Sequence, residues 1–256
     1  MHYEVHEGLV ERDTVAIHGN LASNHWWKPL IAELRTNGGG AKKGRFIAAE
    51  WRGCGKSTGL TEESEINLAE LAADYNGLLR SLGVTSAALL GHSTGGPIAV
   101  HAMLSAPELY SRALLLDPVG ATGVQFGPEM YEAFTAMSQD RAMCEAVMTG
   151  TISKFVDDQA FLQQLVDDAF GVHPLVWHGV ARMLHDTDFR SELPRIKQPV
   201  LVLHGEIDQI LPRESAEALA KDLPHGRFEL LPGRGHSTNI EDPALLALRM
   251  KQFLYG

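Results

Sequence analysis

Short apolar runs, each closing on a glycine-rich or polar turn, alternate along this chain with longer stretches whose apolar residues recur three and four apart. The runs are Thr14–His18, Arg45–Glu50, Ser86–Leu90, Ala113–Asp117, Pro199–His204 and Phe228–Leu231. The periodic stretches are Trp26–Arg35, Asn67–Leu82, Pro97–Ala106, Glu214–Leu223 and Pro243–Leu254. In the second of these, Leu68, Leu71, Ala72, Tyr75, Leu78, Leu79 and Leu82 mark one face of a helix. Strands alternating with crossover helices make a mostly parallel sheet flanked by helices, so the pattern predicts an α/β fold. At 256 residues and 45% hydrophobic, the chain has enough apolar material for a single core of this kind.

The rhythm stops between about Phe126 and Asp188, where helical periods continue but no strand is apparent. This stretch reads as a helical insertion laid over one end of the sheet. The expected division is a core of residues 1–120 and 190–256 and a helical cap of residues 121–189, with Gly120, Gly123 and Gly127 as flexible points before it. The insertion carries Met130, Met137, Met143, Met148 and Met183 with Phe126, Phe134, Phe155, Phe161 and Trp177. Most of these pack the insertion onto the sheet, and a minority are expected to face a pocket, where thioethers adapt to variable apolar ligands.

The stretch Glu50–Thr58, EWRGCGKST, ends in the letters of a phosphate-binding loop. Such a loop needs a glycine five residues before Gly55, where its backbone wraps a phosphate. This chain has Glu50 there, whose carboxylate opposes phosphate, so the match is weak and another explanation is needed. A nucleic-acid partner is also excluded, because the net charge is −10 and the only local basic cluster is Lys42, Lys43 and Arg45, read as a solvated loop. Cys54 and Cys144 provide neither a disulfide framework nor metal-ligand spacing. The beginning lacks the apolar core of a signal peptide and no apolar run reaches membrane-span length, so a cytoplasmic protein without a metal is expected.

Gly91-His92-Ser93-Thr94-Gly95 follows the run ending at Leu90 and opens a helix at Pro97. It fits G-x-S-x-G in the strand, sharp turn and helix context that the pattern requires. A serine on so tight a turn leaves no room for side chains two positions to either side. Taken alone, a serine in a glycine-rich loop is usually a turn residue, so partners must appear in order. Asp208 lies just past the run Pro199–His204, and His236 follows the last run in Leu-Pro-Gly-Arg-Gly-His. The order Ser93, Asp208, His236 is the one expected for a catalytic triad in this architecture, where strand C-termini converge on one crevice. His18, His92 and His204 belong to turn motifs and are assigned no proton transfer.

These signals together give the chain a resemblance to the α/β-hydrolase superfamily, a serine-nucleophile member of esterase or lactonase type with a helical cap. Ile17-His18-Gly19-Asn20 is similar to the H-G-x turn of that family, and Arg52-Gly53-Cys54-Gly55-Lys56-Ser57 is similar to its D-x-R-G-x-G-x-S turn. The GKST letters are then the tail of a structural turn near the active-site mouth. The resemblance implies an oxyanion hole from the backbone N–H groups of Asn20 and Thr94.

Three departures stand out. Glu50 replaces the aspartate that usually begins the turn motif, and the short segment before His18 suggests that the first antiparallel strand is abbreviated or lost. Asp117 offers a second candidate acid, at a position some family members use. Asp208 is favoured because His204, Gly205, Asp208 and Pro212 match H-G-x-x-D-x-x-x-P.

Implied is ester or lactone hydrolysis of a small apolar or moderately polar acyl substrate, with no cofactor. The alternatives are C–C bond hydrolysis, perhydrolase or haloperoxidase-like activity, and a slowly turning-over small-molecule receptor. Trp26, Trp27, Met130, Phe134 and Trp177 are the candidate entrance residues.

Overall fold

In the computed structural model, which describes residues 1–36, 43–152 and 157–256, a seven-stranded sheet runs through the molecule in the order β1-β3-β2-β4-β5-β6-β7. Lys42 and Phe155 lie outside the described residues. The strands are β1 (His2–Val10), β2 (Thr14–Ile17), β3 (Gly44–Glu50), β4 (Ala87–His92), β5 (Tyr110–Leu116), β6 (Val200–Gly205) and β7 (Gly226–Leu231). All neighbours pair in parallel except β1, which runs antiparallel to β3. The expected α/β fold is therefore present.

The expectation of a lost first strand is corrected: β1 is nine residues long and pairs His2 with Glu50 through to Val10 with Gly44. Its sequence, HYEVHEGLV, hides it because an edge strand is half in water and is held by backbone hydrogen bonds that side-chain polarity does not advertise.

Inside the sheet the strands are buried on both faces, and the two-residue period sends alternate side chains to opposite cores. Val15, Leu89 and Val202 join one core with Leu71 and Tyr75 of α2 (Leu68–Ser81), Ile98 and Met103 of α3 (Gly95–Ser105), and Leu219. Ala16, Leu90 and Leu203 join the other with Leu30 and Leu34 of α1 (Lys28–Thr36), Leu246 and Met250. Each large aliphatic side chain buried this way contributes about 1.5–3 kcal/mol. Asn67 starts α2 by accepting the Glu70 N–H at 2.9 Å.

Between β5 and β6 the chain leaves the sheet and forms α4 (Pro128–Gln139), α5 (Arg141–Ile152), α6 (Gln159–Phe170) and α7 (Pro174–His185). After β6 come α8 (Arg213–Asp222), β7, the short α9 (Thr238–Glu241) and α10 (Pro243–Leu254). The inserted helices bury Leu162, Leu165, Val176, Trp177 and Val180 in the first core, and the His173 N–H donates to Gly53 O at 2.8 Å. No helix of the described residues is long and apolar enough to cross a membrane.

Candidate active site

Among the described residues, three non-glycine residues have positive φ: Leu21 at 51°, Ser93 at 54° and Asp117 at 45°. Each sits just beyond the C-terminal end of a parallel strand, β2, β4 and β5 respectively. This left-handed conformation costs a residue with a side chain roughly 1–2 kcal/mol, so it persists only where surroundings impose it.

At Ser93 those surroundings are close-packed backbone. A Cβ on Gly91 would stand 2.7 Å from Gly95 O, and one on Gly95 would collide with Ile17 O. The Ser93 N–H is held by Leu116 O at 3.0 Å, and Ser93 O accepts from Gly96 N and Val119 N. The turn therefore presents a partly exposed serine side chain at the sheet's C-terminal edge.

His236 follows β7 on the same edge, and its Nδ1 bonds Asp208 Oδ2 at 2.8 Å. Asp208 also accepts the N–H of Ile210 at 2.7 Å and that of Leu211 at 3.3 Å. Burial pushes its carboxyl up, but the His236 hydrogen bond and charge, with the Ile210 N–H, outweigh burial and hold it below the usual range. An ionised Asp208 can only accept, so Nδ1 of His236 carries a proton and points Nε2 away from the carboxylate.

His92 is buried and donates from Nε2 to His236 O at 2.8 Å. Burial, with the neighbouring His236, drives its pKa down to about 3, so it stays neutral. His18 is likewise held neutral by burial, at about 4, and stacks on Trp51 at 5.5 Å.

Asp117 is also fully buried but differs from Asp208. Its Oδ1 accepts the Gly205 N–H at 2.7 Å, while Oδ2 has no hydrogen-bond partner among the described residues. Burial, reinforced by the Asp208 charge, pushes its carboxyl well above the usual range. His204 lies between the two acids, 3.6 Å from Asp117 Oδ1 and 3.8 Å from Asp208 Oδ2. Ligand atoms of Asp117, His204 and Asp208 fall within 4.8 Å of one another, as do those of His92, Asp117 and His236. A cation in either cluster would compete with the hydrogen bonds that orient His236.

Asn20 and Thr94 flank Ser93 from β2 and from the start of α3, and among the described residues neither backbone N–H has a protein acceptor. Glu50 explains the turn that follows β3. It accepts the Asn24 N–H at 3.1 Å and the Lys56 N–H at 2.7 Å, so the loop amides that resemble a phosphate cradle already hold a carboxylate. Its longer side chain does not break the turn.

The candidate entrance residues separate. Trp26 stacks on His92 at 5.8 Å, and Phe134 contacts Trp177 at 6.5 Å within the inserted helices. Met130 is exposed. Trp27 is fully buried beside Phe46 in the second core and so faces packing rather than an entrance.

Glu241 of α9 is a further residue that holds the site together, one that no motif marks. It accepts the Gly235 N–H at 2.6 Å and the Ser237 N–H at 3.0 Å, gripping the backbone on both sides of His236. The visible clue was a carboxylate five residues after the histidine.

The sequence profile of the Alpha/beta hydrolase family matches residues 15–249, and the chain belongs to that family. Membership makes it a hydrolase enzyme of the α/β fold. It is 28% identical to an uncharacterized hydrolase, YugF, of Bacillus subtilis (strain 168), over 99% of this chain and 94% of that one. The carboxylesterase YbfK of the same organism is 25% identical over 94% of this chain and 80% of its own length. Among solved structures, an esterase from Exiguobacterium antarcticum superposes with a TM-score of 0.84 at 21% identity, covering 100% of this chain and 95% of that one.

Proposed function

We propose that this hydrolase cleaves carboxylic esters or lactones through the triad Ser93, His236 and Asp208. The observation that carries the reading is the 2.8 Å bond between His236 Nδ1 and Asp208 Oδ2, on the sheet edge that also raises Ser93 on its strained turn. Nε2 of His236 takes the Ser93 proton as Oγ adds to the substrate carbonyl, and the oxyanion is held by the N–H groups of Asn20 and Thr94. The C–O bond to the alcohol breaks as the imidazolium returns the proton to the departing oxygen, leaving an acyl-Ser93. Water, deprotonated by the same nitrogen, then adds to the acyl carbon, and the C–Oγ bond breaks as the imidazolium returns that proton to Ser93, freeing the acid. One oxyanion donor is worth roughly 2.7–4 kcal/mol of transition-state stabilisation.

The inserted helices are proposed to act as a cap of residues 121–189 over this edge, with the half-buried Phe134, backed by the buried Trp177, offering apolar surface to an uncharged acyl group. The carboxylesterase among the relatives supports ester chemistry.

A series of p-nitrophenyl esters of increasing acyl length, run beside a lactone panel, tests the reading. Ser93→Ala should abolish turnover, and Asp208→Asn should lower kcat by as much as about 10⁴-fold while the histidine stays in place. Wild type without Ser93-dependent turnover on either panel would remove the ester and lactone reading.

A further inference from the structure

The segment from Asn20 to Trp27, which starts with a proposed oxyanion donor, is pinned from three directions. Glu50 at the end of β3 holds the Asn24 N–H, and Asn239, just after His236, donates from Nδ2 to Trp26 O at 2.8 Å. The third pin comes from the inserted helices. Asp168 of α6 accepts from Ser23 Oγ at 2.6 Å and from His25 Nδ1 at 2.7 Å, both on Oδ2, across 145 and 143 positions of sequence. Gln164, one turn earlier in α6, steadies the other oxygen at 3.1 Å. Ser23 is buried and its Oγ also accepts the His25 N–H at 3.0 Å, so one carboxylate fixes the whole entry to the turn Asn24–Trp27.

Leu21 stands between Asn20 and Ser23 with φ at 51°. A leucine has no intrinsic reason to stay there, and such strain survives only when both flanks are held. Asn20 Oδ1 accepts the Leu21 N–H at 2.9 Å on one side, and Ser23, tied to Asp168, holds the other. If the second anchor is cut, Leu21 can relax to an ordinary φ, and the rotation turns the adjacent Asn20 amide away from the nucleophile. Asp168 is also near enough for its charge to act on His18, at the other end of the same turn.

We propose that Asp168 is a positioning residue for the reaction: through Ser23 and His25 it holds the Asn20 N–H in oxyanion geometry, so a side chain of the cap completes a site built on the sheet. This rests on the Ser93 hydrolase reading above. The carboxylate touches no reacting atom, so its loss is felt where the transition state differs from the ground state. Displacements of about 1 Å at a catalytic group can cost about a hundredfold in rate.

The test compares Asp168→Ala, Asp168→Asn and Ser93→Ala in the full chain. It uses p-nitrophenyl butyrate turnover, inhibition by phenylboronic acid as a tetrahedral adduct of Ser93, and hydrogen exchange of the amides of residues 20–27. Asp168→Ala should lower kcat by at least about tenfold and weaken boronate inhibition by a similar factor, with KM changed by less than about twofold, and exchange in 20–27 should quicken. Asp168→Asn, whose amide oxygen still accepts from Ser23 and His25, should keep most of the activity. Unchanged exchange in Asp168→Ala overturns the pin whatever the turnover. A loss in KM alone, or an Asp168→Asn as poor as Asp168→Ala, overturns positioning in favour of substrate packing or charge. Quickened exchange in Asp168→Ala beside a wild type with no Ser93-dependent turnover overturns the ester reading and the catalytic half of this one.

Discussion

Asp117 and Asp208 are carboxylates buried around one histidine, yet their partners differ: Asp208 accepts from His236, Ile210 and Leu211, whereas Asp117, among the described residues, accepts from Gly205 alone and leaves one oxygen orphaned. The linkage signs are therefore opposite. Asp208, held below its usual range, adds stability above the unfolded carboxyl range that is lost as pH falls through its folded pKa. Asp117, raised by burial and by Asp208, contributes fully only below the unfolded range and loses that contribution as pH rises toward its folded pKa. Asp117→Asn, a neutral near-isostere whose side chain tolerates the positive φ, should therefore raise Tm at neutral pH by roughly 2–4 °C per kcal/mol relieved, with the gain shrinking toward pH 4. Thermal unfolding from pH 4 to 8 checks this, and a Tm that drops at neutral pH would mean that Asp117 is used as an anion. Ser93, Asp208 and His236 were legible because each follows a readable strand in a fixed order. Glu241, Ser23, His25 and Asp168 were not, because their roles come from contacts that only the folded chain creates.

Elements rather than single residues set the histidine's place. A helix of four residues, α9, reaches back with Glu241 to the amides on either side of His236, and His92 at the end of β4 holds the carbonyl of His236 itself. Glu241→Gln exchanges one accepting oxygen for an NH₂ that faces an N–H, leaving one amide unpaired. It should lower kcat about tenfold or more with little change in KM and lower Tm by several degrees, since a hydrogen bond to a charged group is worth about 1.5–3 kcal/mol. Steady-state kinetics with a melting curve decide it, and an unchanged kcat would reduce Glu241 to a structural cap. At this scale the interior strands and their crossover helices were legible because burial on both faces leaves continuous apolar runs. The edge strand β1 was not, and within the insertion the helices were legible as helical material without their boundaries, since apolar residues there serve mutual packing and sheet packing at once.

The whole molecule carries a net charge of −10, and a net charge of this size repels anions over a distance set by the salt. An ester bearing a carboxylate should therefore show kcat/KM rising severalfold between about 0.01 M and 0.15 M salt, as the screening length falls from about 30 Å to about 8 Å, while a neutral ester stays flat. Matched rate measurements on the two esters check this, and equal slopes would show that the field does not reach the mouth of the site. Among the described residues, the three non-glycine residues with left-handed backbone, Leu21, Ser93 and Asp117, follow β2, β4 and β5, which are neighbours in the sheet. The fold is thus least relaxed where it is proposed to be most useful. A laboratory selection for heat resistance alone would drift toward glycine at these three positions, and its most durable survivors would be proteins of the same shape that had forgotten their chemistry.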